Sequence, residues 1–195
     1  MPDTNKNTAA KDEEASYVAP HELSVLISGC MSGKRSAQKA LYDKFAPQAY
    51  GIIRRYTSHK EMSDEILNDA FFKILTKIDQ YQGKGSFEGW LYKIVVYTVT
   101  DHLRKYIKEK DRSDTREIED NVEVSASIVE QISYKELLAM IHELPDTQRV
   151  VFNLHVMEQY SHKEIGTLLN ITEGNSRWHL NSARKQLMKK INNHS

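Results

Sequence analysis

The chain has 195 residues, enough for one or two small domains with modest hydrophobic cores. Hydrophobic residues make up 39% and charged residues 28%, a soluble globular composition. No apolar run approaches the roughly 20 residues that span a bilayer, so membrane insertion is not expected. Basic and acidic residues balance at 27 each, which argues against indiscriminate nucleic-acid binding and makes charge distribution the informative quantity.

Residues 1–20 open on a polar segment of mixed charge without an apolar centre, which reads as a disordered leader and not a secretory signal. A lone Cys30 excludes an internal disulfide, favours a reducing cytoplasm and reads as a small buried hydrophobe. Residues 22–31 predict a short helix ended by Ser32 and Gly33. Ala37, Leu41, Phe45, Ala49, Ile52, Ile53 and Tyr56 keep helical spacing through Pro47, which should kink that helix without abolishing it. Ser58 and Glu61 have the spacing of a capping box, opening a helix with Leu67, Phe71, Ile74, Leu75 and Ile78 on its apolar face. Residues 81–86 form a loop in which two glycines give backbone freedom.

Residues 94–100 (IVVYTVT) are almost wholly β-branched or aromatic, and propensity alone favours a strand. Their context favours a helix. Phe87, Trp90, Leu91, Ile94 and Val95 lead in at helical spacing, and Thr98, Leu103, Tyr106 and Ile107 continue the stripe. A lone strand would also lack partners for its backbone groups. One long helix over 86–110 is the expectation.

Beyond it the charges segregate. Arg104, Lys105, Lys108, Lys110 and Arg112 cluster against Glu109 and Asp111. Residues 113–130 are strongly acidic, and 113–127 read as a flexible tether without a strong period. Ile128, Ile132, Leu137, Leu138, Ile141 and Leu144 mark the next helix, stopped by Pro145. Val150, Val151, Leu154 and Met157 mark another.

The last segment carries a helix-turn-helix pattern. Ser161 and Glu164 form a capping box, and Ile165, Leu168 and Leu169 give one apolar face. Asn170 stands where the chain must turn, and asparagine tolerates the left-handed conformation. Thr172 can cap a second helix with Leu180, Ala183, Leu187 and Ile191 inside. That helix carries Arg177, Arg184, Lys185, Lys189 and Lys190, with no acid after Gly174. A short helix, a tight turn and a basic helix make a DNA-reading unit. The whole chain is predicted all-α.

Two stretches resemble sigma factors of bacterial RNA polymerase, in the extracytoplasmic-function type of the sigma-70 family. The first comprises residues 63–71 (SDEILNDAF), 87–94 (FEGWLYKI) and 101–105 (DHLRK). The second comprises Leu144-Pro145, Arg149-Val150-Val151-Phe152, residues 160–165 (YSHKEI), Glu173-Gly174 and Ala183-Arg184-Lys185. The resemblance implies a −10-binding and polymerase-binding domain at 21–112, the linker at 113–127 and a −35-binding domain at 128–192. It implies core RNA polymerase and promoter DNA as partners, with an anti-sigma factor as a partner common in the family, in the bacterial cytoplasm. No cofactor, metal or enzymatic activity is implied.

By the same resemblance, Asp64, Glu65, Asn68, Asp69 and Phe71 grip the polymerase. Tyr81, Lys84, Ser86, Phe87, Trp90, Tyr97, Asp101, Arg104 and Lys105 bind the −10 region. Ser161, Thr172, Glu173, Asn175, Ser176, Arg177, His179 and Arg184 bind the −35 element. Aromatic rings stack on unpaired bases for roughly 1–3 kcal/mol each, and Gly83 and Gly85 let backbone amides approach an extruded base. Arg177 suits guanine and Asn175 adenine.

Asn68, Tyr97, Asn175, Ser176, Trp178 and His179 depart from the usual family residues, which puts the promoter sequence in doubt. Trp90 suits a core position as well as a base contact. His155 and His162 share a helical phase, but no further ligand completes a metal site. Asp101 and His102 are adjacent and point apart on a helix, so they form no catalytic dyad. Two other readings are an ordinary helix-turn-helix regulator and a helical module docking acidic partners; neither uses the aromatic loop.

Overall fold

The computed structural model describes residues 20–110 and 133–194. The expected leader up to residue 19, the linker at 113–127, and Arg112, Ile128 and Ile132 lie outside the described residues. Every regular element among the described residues is helical.

Helices α1 (Pro20–Met31), α2 (Arg35–Tyr56), α3 (Lys60–Thr76) and α4 (Phe87–Lys110) form the first lobe. Gly33 turns the chain after α1 at φ +70°. A Cβ on Gly29 would lie 2.7 Å from that of Ala37, so the missing side chain lets α1 approach α2 closely. Helix α2 continues through Pro47 and buries Leu41, Phe45, Ala49, Ile53 and Tyr56. The expected capping box at Ser58 does not form. His59 holds the N-cap position of α3 without a side-chain bond, while Thr57 Oγ1 accepts from its amide at 3.2 Å. The helix therefore begins one residue after the position the box requires.

The strand-like stretch 94–100 lies wholly inside α4. Its valines 95, 96 and 99 are buried in the lobe core. Helix propensity costs a β-branched residue at most about 0.7 kcal/mol, whereas full burial gains about 1.5–3 kcal/mol. The buried hydroxyls of Thr98 and Thr100 donate back to the carbonyls of Ile94 (2.8 Å) and Tyr97 (2.9 Å).

Helices α5 (Tyr134–His142), α6 (Asp146–Phe152), α7 (His162–Leu169) and α8 (Glu173–His194) form the second lobe, with a π-helical turn at Asn153–Met157 after α6. Helix α5 opens on a capping box between Ser133 and Glu136 that the apolar pattern did not reveal. Val150, Val151, Leu154, Ile165, Leu169, Leu180, Ala183, Leu187 and Ile191 fill the core.

The acidic connector leaves the arrangement of the two lobes open, and here they pack together. Helix α7 contacts α4, and α5 contacts α2. Arg149, only 7% exposed, explains much of the attachment. Its guanidinium donates to the Tyr56 carbonyl across the seam (2.9 Å) and to the carbonyls of His142 (2.7 Å) and Leu144 (3.2 Å) within its own lobe, and it pairs with Asp146. Such charge-assisted bonds are worth about 1.5–3 kcal/mol each, and they leave few of the buried donors unused.

Candidate nucleic-acid interface

Three surfaces gather the residues singled out by sequence. On α3, Asp64, Glu65 and Asn68 are exposed on one side of the helix. Asp69 is half-buried and accepts hydrogen bonds from His102 Nε2 and Lys73 Nζ, both at 3.1 Å. Burial alone would push its carboxyl up, but these two donors outweigh it and hold the group below the usual carboxylate range. Lys73 also lies 3.9 Å from Asp101, which pairs with Arg104 at 3.1 Å. Residues assigned to separate partners thus share one charged network. Asp101 and His102 do diverge, toward Arg104 and toward α3.

Phe71, placed on the apolar face by its spacing and with the polymerase by the resemblance, takes the first of these positions. Its side chain is 3% exposed and packs on Tyr42, with ring centroids 4.6 Å apart, so it has no surface to offer a partner. The adjoining Phe72 is 67% exposed. Helical phase carried this signal, because Phe72 stands four residues after Asn68 and off the apolar stripe.

The second surface is the loop 81–86 with the first turn of α4. Gly83 and Gly85 take φ of +71° and +81°, and the Tyr81 hydroxyl donates to the Gly85 carbonyl at 2.8 Å. Ser86 Oγ accepts from the Gly89 amide (3.0 Å) and so caps α4. Lys84 is exposed at the tip. Tyr81, Phe87 and Trp90 form an aromatic cluster with centroids 5.2–5.7 Å apart. Phe87 was expected to meet bases but is 2% exposed, wedged also against Phe45; it supports the loop from beneath. Tyr81 and Trp90 are half-buried, and Tyr97 is exposed further along α4. The side chain of Lys105 lies outside the described ones.

The third surface is the helix-turn-helix. Ser161 caps α7, accepting from the Glu164 amide while the Glu164 carboxylate accepts from the Ser161 amide at 2.8 Å. Asn170 takes the left-handed conformation at φ 57°. A Cβ on Gly166 would lie 2.9 Å from the Ile171 carbonyl oxygen, which fixes how tightly the turn closes. Thr172 Oγ1 accepts from the Asn175 amide (3.1 Å), as expected for the cap of α8.

Ser176 and His179, both expected to face DNA, are buried instead. They stand three residues apart on the face of α8 turned to the core, and Ser176 Oγ bonds His162 Nδ1 at 2.9 Å. The rings of His155 and His162 stack at 4.4 Å and 14°, and His155 Nδ1 donates to the Tyr160 carbonyl. Burial first, then the nearby His155 and Arg177, hold His162 below the usual histidine value. No group of three metal-ligating side chains occurs among the described residues.

On the outer side of α8, Glu173 and Arg177 are exposed and paired one turn apart. Asn175 and Arg184 are half-buried. Asn181, half-exposed and one turn beyond Arg177, joins this row; it was overlooked because it lies outside the familiar motif. Trp178 is half-buried, its ring edge-on to His179.

The sequence profile described as Sigma-70 region 2 matches residues 41–108, and that described as Sigma-70, region 4 matches residues 134–187. The chain is similar to the ECF RNA polymerase sigma-E factor of Escherichia coli K12, with 24% identity over 178 residues covering 86% of this chain and 93% of the relative. It is also similar to the sigma-E factor of Haemophilus influenzae, at 23% over 177 residues, 85% of this chain and 93% of the relative. Among solved structures, the sigma factor RpoE in complex with the anti-sigma factor NepR from Bartonella quintana aligns at TM-score 0.48 and 18% identity, over 79% of this chain and 96% of that one.

Proposed function

Since the chain belongs to the extracytoplasmic-function branch of the sigma-70 family, we propose that it binds core RNA polymerase, recognises paired −35 and −10 promoter elements and melts the −10 region. The observation that carries this reading is the joint presence of an aromatic loop-and-helix surface and a capped helix-turn-helix on one chain. The exposed acids of α3, with Phe72 in place of Phe71, form the polymerase contact. Tyr81 and Trp90 stack on bases of the non-template strand as they leave the duplex, with Lys84 and Arg104 beside the phosphates. Arg177, Asn175 and Asn181 read the −35 major groove, while Ser176 and His179 set the helix against its core.

The protein supplies binding energy and no covalent step. An anti-sigma factor is a further partner proposed from the family. No helix of the described residues is long and apolar enough to cross a membrane. Immobilised protein should retain core polymerase, and the assembled enzyme should start transcripts at defined promoters; an ordinary helix-turn-helix regulator would bind duplex DNA and leave the polymerase in solution.

A further inference from the structure

We propose that the stacked His155–His162 pair links −35 binding to a proton: His162 takes one up as α8 engages duplex DNA, so the complex tightens as the pH falls. This linkage rests on the proposed −35 role of α8 and adds a condition under which that role strengthens.

The pair ties the π-helical turn to both helices of the helix-turn-helix. His155 belongs to that turn, and its Nδ1–H donates to the Tyr160 carbonyl at 2.9 Å, which fixes the ring beside His162. The ring centroids are 4.4 Å apart and the planes 14° from parallel. His162 opens α7 and reaches across to Ser176 Oγ on α8 at 2.9 Å. A hydroxyl both donates and accepts, and an imidazolium still donates from Nδ1, so this bond survives protonation. Rings stacked this closely admit one charge and oppose a second, because like charges repel strongly at such a distance.

The charges around the pair belong to the DNA-reading row. Burial first, then His155, Arg177 and Arg184, disfavour the charged form of the His162 ring, while Glu173 of α8 favours it. On α7 itself the Glu164 carboxylate is engaged by the Ser161 cap, and Lys163 is exposed. Helix α4 brings the Tyr97 hydroxyl, bonded to Tyr160 next to the pair. Arg177 is paired with Glu173 one turn away. When Arg177 turns to a guanine edge and Arg184 to a phosphate, both opposing cations are neutralised and Glu173 is left beside the ring. The phosphates add a negative potential of their own. Each change favours imidazolium, in the pH range where histidine ordinarily titrates. A group more readily protonated in the complex takes up a proton on binding, and by reciprocity a lower pH strengthens that binding.

The test uses the full chain assembled with core polymerase and a short duplex carrying only the upstream motif that this holoenzyme selects from a randomised library. Between pH 7.5 and 6.0, at constant ionic strength, the parent protein should bind the duplex about threefold tighter or more. Calorimetry in two buffers of different ionisation enthalpy should show net proton uptake at pH 6.0. His162→Gln, whose amide can still bond Ser176, should lose most of the gain and take up fewer protons. Glu173→Gln changes an exposed side chain and should gain less than the parent. Equal gains in the parent and His162→Gln, equal proton uptake, or an undiminished gain in Glu173→Gln would each overturn the linkage. Should His162→Gln fail to assemble with polymerase, the parent's proton count and the Glu173→Gln comparison decide. A holoenzyme that selects no upstream motif overturns the proposed function, whereas a selected motif bound equally well at both pH values overturns the proton linkage alone.

Discussion

Phe71 and Phe72 are neighbours in sequence and face opposite ways: one ring packs on Tyr42 in the core, and the other stands 67% exposed beside the acids of α3. A helix advances 100° per residue, so an adjacent pair at the edge of the apolar stripe divides between inside and outside. Phe71→Ala should therefore destabilise the first lobe by about 3–5 kcal/mol, as large-to-small core changes do. Phe72→Ala should leave the melting temperature nearly unchanged and weaken binding to core polymerase several-fold. Thermal unfolding and a polymerase titration on both variants separate the two roles.

The aromatic loop divides in the same manner. Tyr81→Ala combined with Trp90→Ala should permit closed-complex formation and reduce strand opening, read as lost permanganate reactivity at the −10 thymines. Removing two base-stacking rings costs about 2–6 kcal/mol at the roughly 1–3 kcal/mol each is worth. Phe87→Ala should act first on stability, since its ring is buried against Phe45.

On α8, Arg177→Ala should cost about 1–3 kcal/mol of discrimination at a single base pair of the −35 element and relax specificity there. Asn181→Ala should act at a neighbouring pair. Ser176→Ala should instead change stability through the lost bond to His162, with base preference intact. Binding to a library of duplexes varied at each −35 position distinguishes these outcomes.

The capped turn gives a stability prediction. Ser161→Ala removes the side-chain oxygen that accepts from the Glu164 amide while keeping the backbone amide that donates to the Glu164 carboxylate, and should cost about 0.5–2 kcal/mol. Chemical denaturation of the full chain checks it, and Ser161→Asp should recover most of the loss.

Acidification should weaken the fold through histidine. His162 is held below its ordinary value of 6.5 by burial, and His142 likewise by burial at the seam. Both folded forms favour the neutral ring, so their contribution is complete above the unfolded value and is lost as pH falls through the folded one. Melting temperature should therefore decline between pH 7.5 and 5.5, and less steeply in His162→Gln. Glu158, raised by burial above 4.5, acts in the opposite sense at lower pH.

Helical periodicity made the fold readable because apolar stripes recur over whole helices, and so α4 was recognisable despite its β-branched centre. Capping boxes were less dependable: the pattern at Ser161 formed, the one at Ser58 did not, and Ser133 was overlooked. Such a box depends on one residue's backbone conformation, which tertiary contacts set. Site residues were legible by type and only partly by direction. Phe71 and Phe87 already stood on apolar stripes, where burial follows, whereas Ser176 and His179 are polar side chains that helical phase turns inward. The seam escaped the sequence entirely, because Arg149 and Asn153 reach backbone carbonyls, and carbonyls carry no sequence signature.

Run-off transcription with core polymerase on a randomised promoter library tests the central claim most directly. The selected templates should share two motifs at fixed spacing, upstream duplex and downstream melted, with the upstream motif altered by Arg177→Ala and opening impaired by Tyr81→Ala with Trp90→Ala. Transcripts no more frequent or better defined than with core polymerase alone would contradict the account.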